Sequence, residues 1–493
     1  MKMIARLSLC LVLFAKTSYG LAQGAETSPV RVTPGSGPLF ISIDNPNFRK
    51  LVSAVPAFFE KSTLTNPNFK AYVEAGAYEL QRLLSFSGLF QAIDKAAYID
   101  VAKTLEQHVK QTSSKVLPAP TGLEGIDLPQ WRTLNVESLT IGALEQTSDG
   151  LIVELRTIDI ARGQLVLAKR YTKVTDRDLV PLIRRYANLL LEAYTGKPGI
   201  FSSKIAFVGR KDKKANKQIY ISDFDGTDVK QITFDNVPHL SPHFSPDGKF
   251  LTFTSFKARN PDLYLFDLAT GKTKKLSGEP GLNSGGQWAK NGKVIAFTGS
   301  KDGDSDIYLI SPSGADRRVF IKGSGLDVDP TFSPDGQSLA FVSGRFGNPH
   351  IFVATLQWLS DTNLRVLKDR RLTYAGWYNA TPDWSFDSKK IAFAGYDKDI
   401  DRFDIFIMNP DGTQLERLTL RKGDNESPTW SPNGQLILFQ SNRLNDKDVK
   451  GRPQLYIMDR DGANQRLLNT GLYEAQTPAW SGALYDSAVE AAK

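Results

Sequence analysis

The sequence predicts two domains, an N-terminal α/β domain followed by an all-β six-bladed β-propeller. Three observations lead to this prediction. A short element recurs six times in the second half of the chain, apolar residues alternate as in strands after each recurrence, and the segment before the first one carries no repeat. In addition, 493 residues are too many for one ordinary hydrophobic core.

The repeated element usually reads proline, any residue, an aromatic residue and serine, and a turn such as Pro-Asp-Gly or Pro-Asn-Gly commonly follows. Its aromatic positions lie 44 to 52 residues apart, a spacing that suits one four-stranded blade per repeat. These positions are Phe244, Trp288, Phe332, Trp384, Trp430 and Trp480. Because the tryptophans hold a fixed place in the repeat, we expect them to pack between blades rather than to form a carbohydrate platform.

The residues after each turn predict strands. Apolar pairs two residues apart, such as Leu251 with Phe253, place both side chains on one face of an extended chain. Asp-Gly pairs such as Asp411–Gly412 separate later apolar runs and are typical of tight hairpins. The connections Thr373–Thr381 and Asn442–Gln454 are predicted as long loops, where binding residues are commonly placed.

The sixth repeat begins a blade that the end of the chain cannot complete. Its strand, Thr477–Ser481, is followed by only 12 residues. Matching runs occur instead at Ile205–Phe207 and Ile219–Ile221, with Gln231–Ile232 as a fourth strand. We therefore expect the last blade to combine the C-terminal strand with residues 204–233, a closure that leaves no exposed sheet edge.

The N-terminal residues predict export. Basic residues precede the apolar run Leu7–Ala15, as in a secretory signal peptide, which we assign to residues 1–22. Cys10, the only cysteine, lies within this signal, so the chain left after cleavage has no thiol chemistry. We expect no lipid anchor at Cys10, because a bulky leucine precedes it.

We divide the rest of the chain by composition and repeat pattern. The predicted parts are a flexible N-terminal segment at 23–38, the α/β domain at 39–196, a linker at 197–203, the propeller at 204–482 and a tail at 483–493.

Within the α/β domain the periodicity predicts strands and two helices. The predicted elements are a strand at Leu39–Ile43, a helix at Phe69–Leu84, a strand at Leu89–Ile93, a meander at Val136–Leu144, Leu151–Ile158 and Gln164–Tyr171, and a helix at Asp176–Tyr194 capped by Asp176.

The composition excludes several classes of protein. Hydrophobic residues make up 41% and charged residues 23%, and no apolar stretch is long enough to span a membrane. The formal net charge of +8 is small for this length, and no block of Lys and Arg interleaved with aromatics predicts a nucleic-acid partner.

The sequence shows little that predicts catalysis. It has no Gly-X-Ser-X-Gly element, and His108, His239, His243 and His350 suggest no Ser-His-Asp arrangement. His239 and His243 are expected at the mouth of the central channel, where a hydrogen-bonding role is favoured over a metal.

One acidic stretch partly resembles a calcium-binding loop. Asp302, Asp304 and Asp306 alternate like the start of a calcium loop but lack its glycine and final acid, which favours a solvated loop. We accordingly expect no cofactor, no metal site and no enzyme activity.

Several stretches resemble the TolB family. The run LIRRYANLLLEAYTGKPGIFSSKIAFVGRKDKKANKQIYISDFDGTDVKQIT, from Leu182 to Thr233, resembles the family's domain junction. SGLFQAIDKAAYID, WRTLNVESLTIGAL and VELRTIDIARGQLVLAKRYT resemble its N-terminal domain. The resemblance implies a periplasmic scaffold of the Tol-Pal envelope system, which supports outer-membrane integrity and constriction at cell division.

The resemblance also implies partners. The peptidoglycan-associated lipoprotein Pal would bind the loop face of the propeller, TolA would bind near Gln23–Thr33, and other envelope proteins are further candidate partners. The Pal site would lie just before each inner strand, at Leu240, Ser241, Ser284, Gly285, Val328, Asp329, Ala380, Thr381, Glu426, Ser427, Gln476 and Thr477.

The sequence also allows an alternative function, that of an enzyme rather than a binding scaffold. Propellers also occur in periplasmic enzymes such as polysaccharide lyases and in peptidase-related proteins. In such an enzyme His239 or His243 would act with a nearby arginine.

Overall fold

The computed structural model describes residues 49–60, 69–103, 126–175, 177–444 and 447–482. Described residues up to Ser202 form one compact unit and those from Ser203 onward form another. The signal peptide, the segment 23–38, the predicted strand Leu39–Ile43, His108 and the tail lie outside the described residues. Among the described helices, none has the length and apolar character needed to cross a bilayer.

A six-stranded mixed sheet forms the first unit. Five strands lie in the order Phe90–Ala92, Leu51–Ala54, Ser138–Thr147, Gly150–Asp159 and Gln164–Val174, and Phe59–Glu60 also pairs with Ser138–Thr147. The last three strands of that order form the antiparallel meander that the sequence predicts. Leu51–Ala54 runs parallel to both of its neighbours.

Two long helices pack on this sheet and on each other: α1 is Phe69–Phe86 and α3 is Leu179–Thr195. A 3-10 helix at Lys95–Tyr98 and the short helix α2, Leu128–Thr133, bring Tyr98 and Trp131 onto the sheet core.

The predicted cap of α3 is wrong. Asp176 lies outside the described residues, and the helix begins after Asp178, whose carboxylate accepts a hydrogen bond from the Thr175 N–H (3.1 Å) instead of capping the helix. Gly196 ends the helix at φ 67°, and its N–H donates to the Glu192 carbonyl (2.8 Å).

Six four-stranded antiparallel sheets make up the described residues of the second unit. Blade 1 consists of His239–Phe244, Phe250–Ser255, Asp262–Asp267 and Thr273–Ser277. Blade 2 consists of Asn283–Trp288, Ile295–Gly299, Asp306–Ile310 and Arg318–Ile321. Blade 3 consists of Asp327–Phe332, Ser338–Ser343, His350–Trp358 and Leu364–Arg371. Blade 4 consists of Tyr378–Trp384, Ile391–Asp397, Arg402–Met408 and Glu416–Arg417. Blade 5 consists of Asn425–Trp430, Leu436–Leu444, Lys447–Asp459 and Arg466–Leu467. Blade 6 consists of Glu474–Trp480, Lys204–Arg210, Gln218–Asp223 and Lys230–Gln231.

The first strand of each blade contacts the first strand of the next blade, and the first strand of blade 6 contacts the first strand of blade 1. The sheets therefore close into the six-bladed propeller that the sequence predicts. One predicted loop is wrong: most of Asn442–Gln454 belongs to the extended second and third strands of blade 5. The exact domain boundaries stay predictions.

Blade 6 joins the two ends of the propeller. Glu474–Trp480 pairs antiparallel with Lys204–Arg210. The Ser481 N–H donates to the Lys204 carbonyl, and the Lys204 N–H donates to Ser481 Oγ, both at 2.9 Å. The Trp480 indole N–H also donates to Ser203 Oγ (2.8 Å). Hydrogen bonds at both backbone and side chains thus fasten the closing strand.

The hydrophobic clusters of the propeller each span two neighbouring blades. The four repeat tryptophans are only 5 to 9% exposed. Trp288 stacks on Phe250 of blade 1, with ring centroids 6.4 Å apart, and Trp384 donates its indole N–H to the Thr331 carbonyl of blade 3 (3.1 Å). The prediction that these rings pack between blades is confirmed.

Removal of the Trp480 ring tests the closure. We expect Trp480→Ala to lower the free energy of unfolding by about 3–5 kcal/mol, because the variant leaves a cavity and loses the bond to Ser203. Phe386→Ala, which truncates an exposed aromatic in a blade 4 turn, is the matched control and should change it by less than about 1 kcal/mol. Urea unfolding measures both, and equal losses would contradict the role assigned to Trp480.

Candidate functional site: the central channel

The twelve residues expected just before the inner strands lie within those strands. In blade 1, for example, pairing with the second strand already starts at His239 opposite Ser255, so Leu240 and Ser241 follow the first paired residue. The sequence prediction placed the strand starts too late, because the Pro-X-aromatic element marks only the second half of each strand.

Every inner strand carries a register shift at the same place. The shifts fall at Leu240/His243, Ser284/Gln287, Val328/Thr331, Ala380/Asp383, Glu426/Thr429 and Gln476/Ala479. A bulge of this kind bends the strand and changes the direction of the side chains around it.

The second residue of each predicted pair adopts a left-handed backbone conformation. These residues are Ser241, Gly285, Asp329, Thr381, Ser427 and Thr477, with φ between 49° and 70°. For residues other than glycine this conformation costs about 1–2 kcal/mol, and it is especially unusual for a β-branched threonine. The surrounding sheets therefore hold six equivalent positions in an unfavourable geometry, as occurs at many binding sites.

These left-handed residues surround one cavity of about 170 Å³. Of the twelve predicted residues, the cavity is lined by Ser241, Ser284, Gly285, Asp329, Thr381, Ser427 and Thr477. The structure does not place Leu240, Val328, Ala380, Glu426 or Gln476 in this lining.

The cavity is also lined by His243, which the sequence analysis expected at the channel mouth, and by three residues that it missed: Gln287, Asp383 and Thr429. Each lies two positions after a left-handed residue. Strand side chains alternate between faces, so this spacing of two was the signal that would have identified them.

Hydrogen bonds across blade boundaries hold the channel wall. Thr254 Oγ1 donates to Ser284 Oγ (3.0 Å), the Asp329 N–H donates to Thr298 Oγ1 (3.3 Å), and the Thr477 N–H donates to Gln440 Oε1 (2.9 Å). Each of these bonds joins an inner strand to the second strand of the preceding blade. Two of the left-handed residues, Asp329 and Thr477, are thus tied to the preceding blade through their backbone N–H groups.

Two carboxyl groups line the channel: Asp329 is exposed to the solvent of the cavity and Asp383 is half-buried, and the surrounding wall partly desolvates both. Burial raises the pKa of Asp329, although a hydrogen bond from the Thr381 N–H opposes that shift. Burial also raises the pKa of Asp383 to about 7, although its carboxylate accepts a bond from the Trp430 N–H (2.8 Å). Near neutral pH the channel wall therefore carries less negative charge than two aspartates normally would.

Of the three described histidines, only His243 lines this cavity. His243 lines the channel, 3.0 Å from the Gln287 amide nitrogen, and burial lowers its pKa to about 4. His239 is 1% exposed, with its ring 5.4 Å from Phe253, so its predicted place at the channel mouth is wrong. Among the described residues that line this cavity there is no arginine to assist either ring.

The acidic stretch at 302–306 also differs from the prediction. Asp306 is not part of a solvated loop: it begins a strand, is buried, and lies 3.4 Å from Lys322 Nζ. Asp302 accepts a hydrogen bond from the Tyr308 hydroxyl (3.2 Å). Among the described residues, no three or more His, Cys, Asp or Glu side chains lie together in a group that could hold a metal ion.

Comparison with known proteins identifies the family. A family model described as the TolB beta propeller domain matches residues 191–484. The chain belongs to the TolB family. The fold and the family that the sequence predicts are therefore confirmed.

Curated relatives agree with this assignment. The chain is 39% identical over 404 residues to the Tol-Pal system protein TolB of Xanthomonas oryzae pv. oryzae, covering 79% of this chain and 88% of the relative. It is 34% identical over 246 residues to the Tol-Pal system protein TolB of Desulfosudis oleivorans, covering 50% of this chain. That match spans about half the length of the D. oleivorans relative.

A solved structure is also similar. The crystal structure of TolB from Acinetobacter baumannii matches 89% of this chain and 98% of its own chain, with a TM-score of 0.68 and 26% sequence identity. The similarity thus extends over both domains of a TolB-family protein.

The pH dependence of stability tests the environment of Asp383. The folded protein holds this proton more tightly than the unfolded chain, so stability falls as the pH rises from about 4 to about 7 and then levels off. Asparagine keeps an oxygen for the Trp430 N–H. We expect Asp383→Asn to be about 1–3 kcal/mol more stable than the wild type at pH 8 and nearly equal to it at pH 4.

Urea unfolding at both pH values measures this difference. Asp316→Asn, at an exposed carboxylate, is the control and should follow the wild type at both pH values. A lower stability of Asp383→Asn at pH 8 would show that the half-buried carboxylate is ionised and needed.

Proposed function

We propose that this chain is a non-enzymatic, periplasmic protein-binding scaffold of the Tol-Pal envelope system. In this proposal the channel mouth binds the peptidoglycan-associated lipoprotein Pal, and the segment near Gln23–Thr33, which lies outside the described residues, binds TolA. The names of the relatives, Tol-Pal system protein TolB, support membership of that system. Binding these partners would support outer-membrane integrity and constriction at division.

One observation carries the proposal: six left-handed residues, one from each blade, surround a single polar cavity. Ser241, Ser284, Ser427, Thr381 and Thr477 present hydroxyl groups there, and each hydroxyl both donates and accepts hydrogen bonds. A partner that fills such a site meets a wall already fixed in place. Little conformational entropy is then lost on binding, which favours affinity.

The same geometry favours binding over catalysis. His243 is the one histidine in the described lining, and its partner is an amide rather than a carboxylate. A general base needs a partner that stabilises its protonated form, and burial here opposes protonation. We therefore assign the channel a recognition role.

Filling the channel tests the Pal assignment. Ser284→Trp, and separately Gln287→Tyr, should weaken binding of the purified Pal ectodomain of the same organism by at least about a hundredfold, because each bulky ring occupies the cavity. Isothermal titration calorimetry measures the affinity, and near-ultraviolet circular dichroism checks that each variant is folded.

Ser313→Trp is the matched control. Ser313 is exposed in the turn between the third and fourth strands of blade 2 and does not line the cavity, so this variant should bind Pal as the wild type does. Undiminished binding by both folded channel variants would remove the channel from the proposed Pal site.

The proposed TolA contact has a separate test. Deletion of residues 23–33 from the processed chain should abolish binding of TolA and leave Pal binding within about twofold, because the deletion does not alter the propeller. Retained TolA binding in a pull-down would contradict this half of the proposal.

A further inference from the structure

A larger cavity, of about 600 Å³, lies in the propeller along blade 4. Its volume is in the range of small-molecule sites. Leu372, Phe393 and Met408 are buried residues of its lining, and together they provide an apolar floor. The connection that the sequence singled out as a long loop, from Thr373 to the start of the inner strand, forms one wall.

Two aromatic rings of this cavity are exposed. Tyr374 is 76% exposed and Trp377 is 55% exposed, whereas the four tryptophans of the repeat are at most 9% exposed. Neither Tyr374 nor Trp377 belongs to the repeated Pro-X-aromatic element. Packing between blades therefore does not explain these rings, and an exposed tryptophan at a cavity is typical of a binding residue.

A cationic side chain lies over each of these two rings. The Arg371 guanidinium lies 4.9 Å from the centre of the Tyr374 ring, and Lys398 Nζ lies 5.7 Å from the centre of the Trp377 ring. The backbone N–H of Trp377 donates to the Tyr396 carbonyl (3.2 Å) and fixes the chain that carries the ring. These contacts orient the aromatic groups before any ligand arrives, which lowers the entropy cost of binding.

The charges of the lining are balanced. Its charged residues are Asp397, Lys398, Asp399 and Arg417, two of each sign. Arg417 contacts the Asp397 carboxylate at 2.9 Å. The lining therefore favours no strongly charged ligand of either sign, but it does offer charged hydrogen-bonding groups to neutral hydroxyls.

We propose that this cavity is a binding site for a neutral glycan. A pyranose ring has an apolar C–H face and a rim of hydroxyl groups. The C–H face would pack on Trp377 and Tyr374, and the hydroxyls would bond to Asp399, Lys398 and Asp397. The repeat tryptophans are buried and offer no face to a sugar, whereas Trp377 and Tyr374 are exposed and do. This inference is independent of the channel and its protein partners.

Sugar titration tests the site. The probes are N,N′-diacetylchitobiose, cellobiose and maltose, each followed by calorimetry and by saturation-transfer NMR with the full processed chain. At least one probe should bind, and Trp377→Ala should weaken that binding by about tenfold or more. Trp377→Phe keeps an aromatic face and should recover most of the affinity.

Phe346→Ala is the matched control. Phe346 is 69% exposed on blade 3 and does not line the cavity, so its removal should leave sugar binding unchanged. The inference is overturned if none of the three sugars binds up to its solubility limit, or if Trp377→Ala binds as tightly as the wild type. Pal binding by Trp377→Ala should equal that of the wild type, which separates this test from that of the channel.

Discussion

The pairing of Glu474–Trp480 with Lys204–Arg210 is the constraint on which the propeller depends. Its ion-paired residues Arg210 and Glu474 are 264 residues apart, and closing a flexible loop of that length costs about 5 kcal/mol of chain entropy. The closing strand offsets this cost through its ladder and through the buried Trp480. Without it, blade 6 would lose its inner strand, and the first strands of blades 1 and 5 would lose a neighbour.

Closure also explains how the channel keeps its geometry. Five of its left-handed residues are not glycine, and each would relax if its strand were free. Bonds such as that from the Thr477 N–H to Gln440 join each strand to the preceding blade, so relaxation at one position would disturb its neighbour. Closure of the ring thus holds these residues in conformations that they would not adopt alone, and the result is the fixed polar wall that a docking surface requires. The side cavity of blade 4 differs, because its exposed rings, Tyr374 and Trp377, lie in the connection before the inner strand and not in a sheet.

The repeat made most of the fold predictable. Proline, the aromatic residue and the Asp-Gly turns each impose a local geometry, and their period indicated six blades and the shared last blade. The bulges were not predictable, because a left-handed Thr381 or Thr477 contradicts the intrinsic preference of threonine and is imposed by neighbouring blades. His239 was misplaced for a related reason: position along a strand does not show which face is covered. Trp377 could not be predicted as a site residue from the repeat, because it lies outside the repeated element.

Native-state hydrogen exchange tests the closure most directly. If blade 6 is an integral part of the ring, amides of Lys204–Arg210 and Glu474–Trp480 should exchange only through global unfolding, as slowly as those of Ile391–Asp397 in blade 4. Exchange of both closing strands through local opening, while blade 4 remains protected, would contradict the account and show a ring that is not held shut.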